Sequence, residues 1–271
     1  MTEDMLHDLH GAYAGVPRAV NVGHRYANAP IIEAGLTIST TAADGRTEDA
    51  PTPAELETMA MVLRKTGFAE SEAIYGMSSL SEWRSDKRMQ GRHQLGYSAL
   101  DESGDFGLHV LLDSFGFSWL TQYAEWDAFT EKAEQCWAVY RGVMQPVSVG
   151  QVSVRFVNSI ELPRHPIEIT DYLRTSFQVS PNLPQVVDRF FTQIRVPLQV
   201  ENEPVIPATI TVTTSGDGAL ILDIEVSLEL GIDTRDAHFS DKLDAALTKL
   251  RHAKNFVFEA CITDATRKLI S

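Results

Sequence analysis

Cysteine is nearly absent: Cys136 and Cys261 are the only two among 271 residues. That count excludes a secreted disulfide scaffold and a multi-cysteine zinc site. No apolar run approaches the roughly 20 residues that span a bilayer. The first ten residues, MTEDMLHDLH, are polar and acidic, so no signal peptide is expected. Basic residues are also scarce, 23 against 37 acids, for a formal net charge of -14. Asp101 to Glu131 holds seven acids and no Lys or Arg, and so does Glu201 to Asp233. A field of this sign repels polyanions, which weighs against a duplex nucleic-acid partner. The dinucleotide and phosphate loops, the nucleophile elbow and the zinc-protease helix are all missing. The eight histidines are scattered. Neither a metal nor a cofactor is expected. What remains is a soluble cytoplasmic protein, long enough to fold around its own core.

The clearest pattern that is present has period two. Leu220, Leu222, Ile224, Val226, Leu228 and Leu230 alternate with Ile221, Asp223, Glu225, Ser227 and Glu229. This predicts a strand with one apolar and one acidic face. Gly216-Asp217-Gly218 offers a hairpin turn to a partner strand containing Ala208, Ile210 and Val212. Gln193 to Val200 reads as a further strand, with Pro197 marking an edge or a bulge. Val152 to Leu162 is a fourth. In the first half, Ile32 to Ile38 reads as a strand and Pro53 to Thr66 as a helix ended by Gly67. His93 to Leu100 is a weaker strand. Phe106 to Leu120 gives one long bent strand or two. Tyr123 to Met144 is a helix with Trp126, Phe129, Ala133, Cys136, Trp137 and Tyr140 on one face. Ser240 to Ile270 is read as one last helix.

One apolar face per strand implies mainly antiparallel sheet covered by helices on one side, an α+β fold. The expected organisation is a loosely packed segment 1–25, a first half 26–147 and a second half 148–271. Both halves read strand, helix, strand, turn, strand, helix, with the extra strand placed in the second. Duplication is an open reading at the level of element order only.

The residues that can carry chemistry are few. Asn158 falls on the apolar face beside Phe156 and Ile160, so its amide needs partners, whether structural or a ligand. Alternation puts Arg155 on the opposite face, within reach of Asp223, Glu225 or Glu229. Arg84, Lys87, Arg88 and Arg92 form the one basic cluster, read as a solvated loop or as an anion or partner contact. The aromatics between Phe115 and Tyr140 have the spacing of a strand–helix core, and Cys136 among them is expected to be buried and inert.

Four short stretches resemble a known family. Pro30-Ile31-Ile32-Glu33-Ala34 is similar to the opening of the bacterial TIGR04255 family. Tyr123 to Phe129 resembles its Y-x-x-W-x-x-F helix start. Val154 to Pro163 resembles its RYIN-x-I-x-LP strand at Arg155, Asn158, Ile160, Leu162 and Pro163. Phe258, Ile262, Thr263 and Asp264 resemble its C-terminal pattern. The resemblance implies an intact bacterial domain and supplies no catalytic residue.

Three functions follow as expectations. The first is a non-enzymatic interaction or ligand-binding module, an accessory to another protein or to a second copy of itself. The second is an enzyme acting on a small or phosphorylated substrate near Arg155 and Asn158. The third is a binder of single-stranded nucleic acid.

Overall fold

The computed structural model describes residues 13–15, 20–22, 24–42, 51–68, 70–80, 89–121, 123–163, 168–187, 189–200, 202–216 and 218–271. Among them are nine strands: β1 (Ile31–Thr41), β2 (Glu70–Leu80), β3 (Met89–Leu100), β4 (Phe106–Leu111), β5 (Ser114–Trp119), β6 (Ser148–Ile160), β7 (Phe191–Leu198), β8 (Ile206–Thr214) and β9 (Leu220–Asp233). Five helices accompany them: α1 (Pro53–Thr66), α2 (Trp126–Met144), α3 (Ile169–Tyr172), α4 (Phe239–Cys261) and α5 (Asp264–Ile270). The strands are hydrogen-bonded in the order β2-β3-β4-β5-β1-β6-β9-β8-β7, and the protein is α+β with an antiparallel sheet.

The chain divides into two compact units, neither continuous in sequence. One comprises Met1–Ala34, Ser153–Glu229 and Asp241–Ser271, and is called here the terminal unit. The other, the medial unit, comprises Gly35–Val152 and Leu230–Ser240. The early residues join the terminal unit through specific bonds. The Asn28 N–H donates to the Ile270 carbonyl at 3.0 Å, and the Ser159 N–H to the Pro30 carbonyl at 2.8 Å. Within the first twenty-five residues, Tyr13 is buried, with its ring 4.7 Å from that of Phe256.

In the terminal unit the period-two pattern sets the register. Ile210 lies opposite Ile224, and Val212 opposite Leu222, so all four point to the covered face and are buried. The hairpin closes where the Gly218 N–H donates to the Ser215 carbonyl, with Gly218 at φ 90°. A side chain there would be strained, which is why glycine occupies it. β7 ends the strand order, and Pro197 falls opposite Pro207, where a missing N–H costs no central ladder bond. Val154, Phe156, Asn158 and Ile160 of β6 are all buried.

In the medial unit Thr52 caps α1 with a full capping box to Glu55, Pro53 opens the helix, and Gly67 ends it at φ 83°. α1 packs on α2, β3 and β4, and α2 packs on β5. Every residue of the predicted α2 stripe, from Trp126 to Tyr140, is buried. Burial raises the Cys136 thiol above its ordinary value, with Lys132 opposing weakly, as suits an inert core residue. Tyr140 ties the layers together. Its hydroxyl donates to the Leu111 carbonyl at 3.0 Å and lies 3.2 Å from the Thr40 hydroxyl.

Two expectations need correction, and one stated with two alternatives is decided between them. Glu70–Leu80 is a strand, so the extra strand belongs to the first half, not the second. Its sequence, ESEAIYGMSSL, has no apolar alternation, because an edge position with one neighbour does not demand it. The Phe106 to Leu120 stretch is two strands paired as a hairpin, with Leu108 opposite Phe117. The last helix is two. α4 stops at Cys261, Ile262 makes an antiparallel bridge to Leu173, and Thr263 caps α5 by accepting from the Thr266 N–H. The first-half order β1-β5-β4-β3-β2 and the second-half order β6-β9-β8-β7 share one connectivity, since the first strand of each pairs with the last.

Candidate functional site

The break between α4 and α5 makes a cleft in the terminal unit. Its volume is about 260 Å³, and it is lined by Val20, Asn21, His24, Arg174, Glu259, Asp264 and Arg267. Each contributor has a local cause. Glu259 sits in the last turns of α4, three residues after the buried Phe256, and is only 4% exposed. Reversal of the chain at Thr263 brings Arg267 back over it. Arg267 Nε and Nη2 both donate to Glu259 Oε2, at 3.0 and 2.9 Å, and Nη2 also donates to the Glu259 carbonyl. Its Nη1 donates to Asp264 Oδ1 at 2.7 Å. The other Glu259 oxygen, Oε1, accepts from the Tyr26 hydroxyl at 2.6 Å. Burial, then that bond, pushes the Tyr26 phenol far above its ordinary range.

Two further groups complete the rim. His24 Nδ1 stands 3.9 Å from Glu259 Oε1, beyond hydrogen-bond reach, so it is a charge neighbour rather than an oriented base. Arg174 follows α3. Its N–H donates to the Cys261 carbonyl at 2.7 Å, and the preceding Leu173 is buried and bridged to Ile262. Backbone position is therefore fixed, while the residue is exposed and meets no carboxylate among the described residues. Also among the described residues, no group of three or more His, Cys, Asp or Glu side chains gathers as a metal site. No described helix is long and apolar enough to cross a membrane.

The residues singled out from the sequence lie elsewhere. Arg155 is on the open face of β6 and grips Asp223 on β9, with Nε 3.0 Å and Nη2 2.7 Å from its oxygens, while Glu33 lies 3.9 Å away. Asn158 is on the covered face. Its Nδ2 donates to the Leu222 carbonyl at 3.0 Å and the Phe156 carbonyl at 3.3 Å, linking β6 to β9. The two side chains are not brought together. Arg92 is on β3, opposite Met77, while Arg84, Lys87 and Arg88 lie outside the described residues.

These partners set the expected mutational effects. Asn158→Ala should cost about 1–3 kcal/mol, because buried carbonyls lose a donor. Arg155→Ala should cost less than about 1 kcal/mol, because that pair faces water. Urea melts of both variants check the ranking. A larger loss for Arg155→Ala would mean that the open face is covered by something else.

Sequence reasoning missed the whole cleft. One signal was available: Glu259 stands three residues after Phe256 and seven after His252, an acid on the apolar face of a helix. Tyr26, His24 and Arg174 carried none, since only the chain path brings them there.

A second ionisable group, half-buried, lies on α4. Lys254 Nζ sits 3.9 Å from the centre of the Phe156 ring and donates to Asn255 Oδ1 at 2.7 Å. Burial, with a smaller contribution from the Arg251 charge, pulls its ammonium down to about 7 from an ordinary 10.5. The folded protein then releases this proton while the unfolded chain keeps it. Stability should therefore rise from about pH 7 toward 10, by at most about 1.4 kcal/mol per pH unit from this group. Lys254→Met should flatten that rise, as urea midpoints at pH 7, 8 and 9 would register. Equal slopes in both proteins would place the ammonium in water.

The fold and the cleft define an α+β protein with a recess lined by charged and polar residues in its terminal unit. No family model matches the chain, and no curated protein matches it.

Proposed function

We propose that this protein is a non-enzymatic ligand-binding module, an accessory to another protein or to a second copy of itself in the bacterial cytoplasm. We read it as a member of the TIGR04255 family. The observation that carries ligand binding is the cleft, in which a buried carboxylate is locked by an arginine fork and a tyrosine hydroxyl, and whose lining includes an arginine, Arg174, that meets no carboxylate among the described residues. Its volume, about 260 Å³, lies just under the usual range for small-molecule sites, roughly 300–1,000 Å³, and suits a compact ligand. The acidic stretches at Asp101 to Glu131 and Glu201 to Asp233 favour a basic protein surface as partner over a polyanion.

The enzyme reading near Arg155 and Asn158 has less support, since these side chains occupy opposite faces and are engaged in structural bonds. Binding of single-stranded nucleic acid is also less supported, because most of the aromatics from Phe115 to Tyr140 are core. Thermal-shift screening of a metabolite library tests the proposal. A ligand at 100 times its dissociation constant adds about 2.7 kcal/mol. Arg174→Ala should cut the shift by about half or more. A ligand that stabilises this variant equally well would move the site elsewhere, and turnover of the ligand would replace the non-enzymatic reading.

A further inference from the structure

We infer that the ligand of this cleft carries an anionic group, a phosphate or a carboxylate, held by Arg174 at the rim. This inference rests on the reading of the cleft as a ligand site. It comes from how the charges are paired. Two arginines and two carboxylates line the recess, so the formal charge balances, but the pairing is uneven. Arg267 serves both acids. Glu259 has one oxygen taken by the fork and the other by Tyr26, and Asp264 has one oxygen on Arg267 Nη1. Arg174 is left without a carboxylate among the described residues, on a backbone position fixed by its bond to Cys261.

An arginine in water would not by itself signal a ligand. Here it lines a recess in which Arg267 already engages both carboxylates, in a chain with a net charge of -14. An anion entering the recess meets a guanidinium whose planar donors match two of its oxygens. His24 lies on the same rim. A cationic ligand would face Arg174, and the buried carboxylate, Glu259, already has both oxygens engaged by Arg267 and Tyr26.

The test uses the full-length protein with arginine side chains labelled in nitrogen-15, titrated with phenyl phosphate, benzoate and benzyl alcohol. The Nε–H signals of Arg174 and Arg267 are followed. Phenyl phosphate and benzoate should both shift the Arg174 signal, and the stronger of the two identifies the anion. Benzyl alcohol, which shares the ring and lacks the charge, should bind more weakly. Arg174→Ala should weaken anion binding about tenfold or more, and Arg174→Lys by less. Asp264→Asn alters a solvent-facing side chain, so it keeps the fold. It should tighten anion binding by about twofold to fivefold.

Equal affinity for benzyl alcohol and phenyl phosphate would overturn the anion and leave the cleft standing. So would a neutral library ligand that shifts Arg174 when neither anion does. Anion shifts that survive in Arg174→Ala, appearing at Arg155 instead, would also overturn it. If neither the probes nor the library binds, both the anion and the cleft as a ligand site fail.

Discussion

Arg267→Ala is expected to lower the free energy of unfolding by about 3 kcal/mol, the low end of the range for breaking a buried ion pair. The reason is what it leaves behind. Glu259 is 4% exposed and would be left with the Tyr26 hydroxyl as its side-chain donor among the described residues. The low end applies because Arg267 itself is 20% exposed, so some water can follow. Asp264→Ala removes the other partner of the same arginine, but that carboxylate is 85% exposed and its loss should cost less than about 1 kcal/mol. Urea denaturation of the two variants side by side checks the argument. Equal losses would mean that Glu259 is hydrated in the folded protein.

Phe115→Ala should cost about 3–5 kcal/mol in the medial unit. Phe115 is fully buried, and its ring meets those of Trp137 and Tyr140, each with centres 5.5 Å away. Removing it deletes two aromatic contacts as well as the buried area, and Tyr140, held to Leu111, cannot slide into the hole. Phe191→Ala is the contrast. That ring is 68% exposed on the edge strand, and its loss should stay within about 0.5 kcal/mol. A denaturation midpoint for Phe115→Ala close to that of Phe191→Ala would show that the aromatic cluster repacks.

Strongly patterned elements were legible in advance. β9 alternates over its whole length because one face meets the core and the other meets water, and α2 repeats its aromatics at helical spacing for the same reason. β2 was not legible, because an edge strand is specified by its neighbour's backbone more than by its own side chains. The division of the last helix was hidden because α4 and α5 share a continuous helical sequence pattern. Thr263 acts as a cap only once the Asp171 and Tyr172 carbonyls are there to receive its donors.

The same distinction separates Asn158 from Glu259. For Asn158, alternation along one strand fixed the face, and one face fixed burial, so the need for partners followed from local order. Its side chain bonds across to Leu222, a neighbour that the sheet order supplies. For Glu259, the sequence determined no more than that an acid lies on the apolar side of a helix. Which groups neutralise it was decided by tertiary structure alone. Tyr26 stands 233 residues away, Arg267 folds back across a helix break, and Arg174 arrives through a bridge to Ile262. Periodicity acts between neighbours along one element and is written in the sequence. Charge pairing at a cleft acts between distant segments, and exists only after the chain has closed around it.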